Sequence, residues 1–364
     1  MPAAPKTMLF LSGLSTLFIV GAGSAILGPA VPVYEQAFNL STATSGLLVS
    51  TLWIGCLTGV LSMYFKGAQI EPRPPLALVV VGSVLMAVAP AFWVALLGAL
   101  IFGIGYGAIA ALFNARVLHA FGTQGASRIG MLNALYSLGA IIAPYGFTLM
   151  GASLQPVFWT MAGLSALTWV FSGSVGLTGL PKHAQGRGFK LHWPILALAL
   201  ISIGIEASLG GLGPTALIRA GLTAAQAAQL LSLFFVAALG ARIMLVLVAH
   251  RFADFGILVF ALGWATLCAL GAALISPVVF FAPLGISAGL FFQGEYVTAT
   301  RKMGEDPRVS PVILAVGLVG AILAPVFFAQ FMDVLGERGF FWLVAAVAGA
   351  ATLYSALSYR AMMR

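Results

Sequence analysis

Long apolar runs alternate with short polar segments along the whole chain. A transmembrane helix needs about 20 mainly apolar residues, and the runs show no period-2 alternation of a membrane barrel. The pattern predicts twelve helical spans: 8–33, 43–65, 76–95, 97–120, 129–150, 156–178, 193–217, 224–249, 255–275, 278–299, 309–332 and 339–360. The first run is too long for a signal-peptide core, so we interpret it as a retained helix.

Composition places the chain in lipid. Only 7% of its residues are charged and 61% are hydrophobic, with a mean hydropathy of +1.07. Soluble domains carry about 25% charged residues, so this surface is too apolar for water. The net charge of +8 would suggest nucleic acid in a soluble protein. Here the basic residues lie between apolar runs, and we expect no nucleic-acid partner.

The distribution of basic residues predicts the orientation. One set of predicted loops contains Lys6, Lys66, Arg73, Arg128, Lys182, Arg187, Lys190, Arg251, Arg301, Lys302, Arg308, Arg360 and Arg364. The opposite loops contain only Arg219 and Arg338 as basic residues, beside Glu35, Asp333 and Glu337. Because basic loops stay cytoplasmic, both termini are predicted in the cytoplasm of a cell with the chain in its inner (plasma) membrane.

An internal repeat indicates two similar halves. Gly-Ala-Ile-Ile-Ala-Pro at 139–144 recurs as Gly-Ala-Ile-Leu-Ala-Pro at 320–325, and Gly28-Pro29 has a counterpart in Gly213-Pro214. The two offsets, 181 and 185 residues, are close to half the chain. We therefore predict an all-α membrane protein of two pseudo-symmetric six-helix bundles, 1–179 and 193–364, joined by a cytoplasmic linker at 180–192.

Several segments resemble the major facilitator superfamily, and within it the fucose:proton symporter-like branch. Gly-Ile-Glu-Ala-Ser at 204–208 is similar to the Gly-x-Glu-x-Ser core of that branch's seventh helix. The segments at 28–32, 103–107, 221–223, 232–235 and 240–242 also resemble it. The resemblance implies a transporter that rocks one half against the other around a site near the bilayer midplane.

The chain departs from the family pattern in two loops and at two positions inside spans. The loop after the second span, 66–73, lacks the usual Asp-Arg pair, and His250-Arg251 stands where such a pair would follow the eighth span. Gly28 and Ala110 occupy the positions that align with the branch's proton-linked carboxylates. Fucose and the branch's coupling scheme therefore do not transfer directly.

Ionisable residues inside spans are costly and mark functional sites. Glu206 is the predicted proton-coupling residue, the alternative being a neutral hydrogen-bonded side chain. Glu295 is predicted to form a gate or a structural ion pair with Arg301 or Lys302, or to contact substrate. Arg116 and Arg242 lie in the fourth and eighth spans, which we interpret as equivalent places with a gating role. Direct binding of an anionic substrate is the alternative.

Polar and aromatic side chains in the predicted spans suggest contacts for a solute. Hydrogen bonds are predicted from the first group and ring stacking from the second, although packing is the common role of such aromatics. The predicted substrate-binding residues are Asn114, Asn133, Tyr136, Gln293, Trp53 and Tyr106.

No catalytic, nucleotide-binding or metal-binding pattern is found. Cys56 and Cys268 lie inside apolar runs, and His119, His183, His192 and His250 lie near predicted cytoplasmic helix ends without metal spacing. We expect no enzyme activity, metal or cofactor.

The sequence predicts a monomeric secondary active transporter of a small solute, a sugar or another small metabolite, with protons as one driving ion. The alternatives are a drug or metabolite efflux carrier, and a non-transporting membrane sensor or assembly protein on the same scaffold.

Overall fold

The computed structural model of the chain describes residues 3–66, 71–121, 124–172, 189–248, 252–304, 309–332 and 334–363. Every regular element among them is a helix. Lys182, His183, Arg187, His250 and Arg251, with most of the predicted linker, lie outside the described residues.

Fifteen helices are described, and their bounds are α1 Ala3–Phe38, α2 Thr42–Ser45, α3 Leu47–Lys66, α4 Arg73–Val88, α5 Phe92–Phe121, α6 Gly125–Leu149, α7 Leu154–Phe171, α8 Trp193–Arg219, α9 Ala224–Val248, α10 Asp254–Leu274, α11 Pro277–Phe280, α12 Leu284–Met303, α13 Val309–Met332, α14 Gly339–Leu357 and α15 Tyr359–Met363. Ten helical segments among the described residues have the length and hydropathy to cross a membrane. The chain is a multi-pass helical membrane protein.

Proline residues mark breaks within two of the predicted spans. The predicted third span, 76–95, crosses a break after Val88, because Pro90 has no backbone N–H to continue a helix. The predicted tenth span, 278–299, is divided into α11 and α12, and Pro283 lies at the N-terminal cap of α12. The spans at both places are shorter or more interrupted than hydropathy alone predicts.

The described helices divide into two compact units. The first contains α1 and α3–α7, and the second contains α8–α15 together with the short α2. Within the second unit, Arg219 at the end of α8 donates a hydrogen bond to Thr42 Oγ1 of α2.

The two units use the same helix pairs. In the first unit α1 packs on α6, α3 and α4 pack on α5, and α4 also packs on α7. In the second unit α8 packs on α13, α9 and α10 pack on α12, and α10 also packs on α14. The helix order within each unit is thus the same.

Glycines make the same close contacts in both units. A β-carbon at Gly103 would lie 2.2 Å from the carbonyl oxygen of Leu52, and one at Gly285 would lie 1.9 Å from that of Phe234. Gly103 and Gly285 are 182 residues apart in the sequence, as are Leu52 and Phe234. Helices in lipid associate closely where small residues let their backbones approach. The close contact at Gly103 therefore recurs at Gly285 and holds the matching helix pair together in each unit.

A second glycine pair repeats at the helix interfaces identified by the sequence repeat. A β-carbon at Gly139 would lie 2.0 Å from the carbonyl oxygen of Phe18, and one at Gly320 would lie 2.0 Å from that of Leu200. This register matches Gly28 with Gly210 rather than with Gly213, so that part of the predicted repeat is three residues out of register.

We expect Gly285→Ala to destabilise the protein by about 1–3 kcal/mol, because a methyl group cannot fit against the Phe234 carbonyl without moving a helix. Gly163→Ala is the matched control, since a β-carbon there has no neighbour within 4 Å. Thermal unfolding in detergent measures both. A Gly285→Ala midpoint equal to that of the wild type would show that this close contact does not support the unit.

Candidate functional site

The second unit places four polar side chains together inside its apolar bundle. Ser202 and Glu206 are four residues apart on α8 and so share one face of that helix. Arg242 comes from α9 and Glu295 from α12. We call Ser202, Glu206, Arg242 and Glu295 the acidic cluster.

Glu206 forms an ion pair within this cluster. Arg242 Nη2 lies 3.5 Å from Glu206 Oε1, and the two side chains are 30% and 26% exposed respectively. A charged side chain in a membrane span is stable only when it is paired or reaches water. The pair is therefore a charged group that lies partly exposed on the second unit.

Glu295 is buried, in contrast to Glu206. Its exposed fraction is 1%, and Ser202 Oγ is in hydrogen-bond contact with its Oε2. The predicted partners of Glu295 pair elsewhere: Arg301 Nη1 lies 2.7 Å from Asp254 Oδ2, and Lys302 Nζ donates to the Ala361 carbonyl at 3.3 Å. Neither predicted residue is therefore a partner of Glu295 among the described residues, because Arg301 and Lys302 lie in the last turn of α12 and make their contacts there.

The first unit brings three of the predicted substrate-binding residues together with Ser24. Tyr106 donates to the Tyr136 hydroxyl at 3.2 Å, and the Tyr136 and Ser24 hydroxyls are 2.9 Å apart. The ring centroids of Trp53 and Tyr106 are 6.0 Å apart, and those of Tyr106 and Tyr136 are 6.3 Å apart. We call Ser24, Trp53, Tyr106 and Tyr136 the aromatic cluster; its members come from α1, α3, α5 and α6.

One residue of the aromatic cluster is equivalent by the repeat to one residue of the acidic cluster. Ser24 and Glu206 are 182 residues apart, the same offset that relates the glycine contacts of the two units. Equivalent positions on α1 and α8 therefore carry a hydroxyl in one unit and a carboxylate in the other.

Arg116 and Arg242 are not equivalent, and that interpretation of the sequence was wrong. Arg116 lies on α5, whose counterpart by packing is α12, whereas Arg242 lies on α9, whose counterpart is α3. Counting the fourth and eighth spans as equivalent ignored the six-helix repeat. Arg116 is 1% exposed. It interacts electrostatically with Glu71, which belongs to the segment 66–73 after the second predicted span.

Three of the predicted substrate-binding residues, Asn114, Asn133 and Gln293, belong to neither cluster. Asn133 is exposed and donates to the Ile129 carbonyl of its own helix at 3.1 Å. The side-chain oxygens of Asn114 and Gln293 are buried, and neither accepts a hydrogen bond within the described part of the chain. Asn114 and Gln293 thus offer acceptors, while Asn133 satisfies its donor locally.

His192 precedes α8 in the second unit, at the end of a predicted span. Burial lowers the pKa of its imidazole below the usual range, and the positive charge of Lys302 lowers this pKa further. The position of His192 at the start of α8 agrees with its predicted place at a helix end. Among the described residues, no group of three His, Cys, Asp or Glu side chains could hold a metal ion.

The contact between Ser202 and Glu295 is the feature that sequence reasoning missed. Its two residues are 93 positions apart, so no local pattern marks it. The spacing of Ser202 and Glu206 was the available signal, since two polar residues one turn apart in an apolar helix indicate a shared polar face.

Comparison with known proteins identifies the family. The sequence profile of the Major Facilitator Superfamily matches residues 13–315, and the chain belongs to that superfamily. No curated protein matches it significantly. The fucose:proton symporter-like branch stays a prediction.

Solved structures of transporters share the fold. A bacterial homologue of the human lysosomal transporter Spinster is 16% identical, with a TM-score of 0.74 over 99% of this chain and 97% of that chain. The nucleoside transporter NupG is 16% identical, with a TM-score of 0.73 over 100% of both chains. A D-xylose–proton symporter is 13% identical, with a TM-score of 0.73 over 96% of this chain and 97% of that chain. At these identities the likeness shows the fold alone.

We expect Tyr136→Phe to cost about 1 kcal/mol of stability, because the change removes the hydroxyl that contacts both Ser24 and Tyr106. Tyr145→Phe on the same helix is the control, since that side chain is 50% exposed. The readout is the thermal midpoint of purified protein in detergent. Equal midpoints for the two variants would mean that the hydroxyl contacts of the aromatic cluster add nothing to the fold.

Proposed function

We propose that this protein is a secondary active transporter that moves a small polar solute, a sugar or another small metabolite, by alternating access. The observation that carries the proposal is the partly exposed Glu206–Arg242 ion pair inside an apolar helical unit. Charges in membrane spans are costly and are kept where a substrate or ion pathway needs them. A purely structural pair would be better sealed from its surroundings.

The aromatic cluster is the proposed contact surface for the solute. Its rings offer flat apolar faces, and the hydroxyls of Tyr106, Tyr136 and Ser24 offer both donors and acceptors. Sugars combine apolar ring faces with hydroxyl edges, so this surface has complementary chemistry. Two of the proteins with similar structures are a nucleoside transporter and a D-xylose–proton symporter, and xylose and nucleosides both contain hydroxylated rings.

Glu206 is the proposed proton-coupling residue. As a carboxylate it pairs with Arg242, and a proton on Glu206 would weaken that attraction. Such a change alters the charge of the acidic cluster by one unit in each cycle. The buried oxygens of Asn114 and Gln293 would accept hydrogen bonds from solute, while Arg116 and Glu295 would serve gating or structural roles.

Efflux of a less polar metabolite or drug is the second candidate. The observation in its favour is the aromatic character of the first-unit cluster, together with Asn133, which bonds within its own helix. Aromatic faces bind apolar compounds as readily as sugar rings.

We further propose twelve spans in an inner (plasma) membrane, with both termini cytoplasmic and the protein a monomer. The twelve include α4 and α7, which are apolar helices of 16 and 18 residues. The basic loops support the orientation.

Single cysteines at Lys302 and Arg338, placed in a variant without Cys56 and Cys268, test this orientation. In whole cells an impermeant maleimide should label position 338 and not position 302. Labelling of position 302 alone would show that the protein has the opposite orientation.

We expect Glu206→Gln to abolish solute-driven proton movement in liposomes that contain a pH-sensitive dye. The amide keeps the size of the side chain but cannot bind and release a proton, so no proton can move with the solute at this position. Sugars, small acids and cationic drugs form the solute panel. Glu337→Gln, in an exposed turn, is the matched control and should behave as wild type.

The same assay separates the alternatives. Solute flux without proton movement in wild type would make the protein a uniporter and would leave Glu206 a structural role. Absence of flux for every solute in the panel would contradict the proposed small polar substrate and favour a non-transporting protein on this scaffold.

A further inference from the structure

Glu295 is a carboxyl group buried in the second unit without a positive partner. Its side chain is 1% exposed, and no ion pair involves it in the part of the chain that the structure describes. An ionised carboxylate without a partner is very costly to bury. Its hydrogen-bond contact is with the hydroxyl of Ser202 on α8.

Counting hydrogens at Ser202 distinguishes the two charge states of Glu295. Ser202 Oγ lies 2.8 Å from the Leu198 carbonyl oxygen and 3.3 Å from the Ala199 carbonyl oxygen, and it also contacts Glu295 Oε2. A serine hydroxyl has one hydrogen to donate and two lone pairs to accept. All three neighbours of the oxygen are acceptors when Glu295 is ionised.

The neutral acid satisfies every atom of this arrangement. If Glu295 carries a proton on Oε2, that O–H donates to Ser202 Oγ, and the Ser202 hydroxyl donates to the Leu198 carbonyl of its own helix. If Glu295 is ionised, the single serine hydrogen must leave either the carboxylate or the backbone carbonyl facing another oxygen. Two oxygens held at hydrogen-bond distance without a hydrogen between them repel each other, even though the carbonyl keeps its helical N–H partner.

We propose that Glu295 is a proton-binding site, held as a neutral carboxylic acid at neutral pH, with Ser202 as the acceptor of its proton. The carboxyl group of this site is a different one from that of the Glu206–Arg242 ion pair. The assignment rests on the geometry; it rests on the proposed function only for the further step that this proton moves during transport.

The charged groups around α12 are consistent with the neutral state. On α8, Glu206 is a second carboxyl group and brings no positive charge to Glu295. On α9, Arg242 is paired with Glu206, and on α10, Asp254 is paired with Arg301. α13, the remaining helix packed on α12, has no ionisable side chain among its residues.

The position of Ser202 connects this proton to the exposed pair. Ser202 and Glu206 are one helical turn apart, so the acceptor of the Glu295 proton lies on the same face as the Glu206 carboxylate. The cluster therefore contains one carboxyl group that is partly exposed and paired with an arginine, and one that is buried beside a serine hydroxyl.

Infrared spectroscopy of the purified protein in lipid at pH 7 tests the assignment without any solute. We expect a carbonyl stretch of a protonated carboxylic acid, shifted in heavy water, that is lost in Glu295→Gln and retained in Glu206→Gln. Ser202→Ala keeps Glu295 and should shift the band to the frequency of a weaker hydrogen bond. A wild-type spectrum without this band, or a band that survives in Glu295→Gln, would overturn the proposal.

Stability of the variants gives an independent readout. Glutamine reproduces the neutral acid, since its amide can donate to Ser202 Oγ, so Glu295→Gln should unfold within a few degrees of wild type. A Glu295→Gln variant that fails to fold would count against a neutral Glu295. Because neither measurement needs transport, an inactive protein that shows the band would keep this assignment while contradicting the proposed function.

Discussion

Close approach of helix backbones at glycine is the constraint on which both units depend. In lipid no hydrophobic driving force pushes helices together, so packing relies on small residues and on polar contacts between helices. Gly103 on α5 and Gly285 on α12 have no room for a β-carbon, and each lies against a carbonyl oxygen of the neighbouring helix. These contacts fix α3 against α5 and α9 against α12, and so they fix where Trp53 and Arg242 are held.

The same scaffold carries different chemistry in the two units. Ser24 and Glu206 share a register, yet the first is surrounded by aromatic rings and the second pairs with an arginine. Burying a charge in a span costs free energy that a hydroxyl does not. The ionisable acidic and basic side chains of the two clusters all lie in the second unit. There Glu206 is paired with Arg242, and Glu295 is in hydrogen-bond contact with Ser202.

Hydropathy and the glycine-proline repeat were sufficient to predict a helical membrane protein with an internal repeat. They placed Glu206 in a span and selected Trp53, Tyr106 and Tyr136, which the structure brings into contact. Hydropathy averages over a window, however, so it could not detect the helix break at Pro90.

Contacts between distant helices were beyond the sequence. The partner of Glu295 depends on how α8 and α12 pack, which is set by glycine contacts in three dimensions rather than by neighbours in the chain. Asn133 was selected for its residue type, but its side chain bonds to its own helix. The Gly-Pro pair of the repeat misaligned Gly28 by three residues, and treating the fourth and eighth spans as equivalent led to the incorrect pairing of Arg116 with Arg242.

The most direct test of the account is the steady-state accumulation of a transported solute in liposomes under an imposed pH gradient. A carrier that moves one proton with each neutral solute should accumulate that solute up to about tenfold for each pH unit. Wild-type protein is predicted to accumulate solute, and Glu206→Gln is predicted only to equilibrate it. Equal inside and outside concentrations with wild-type protein, at every gradient applied, would contradict a proton-coupled transporter.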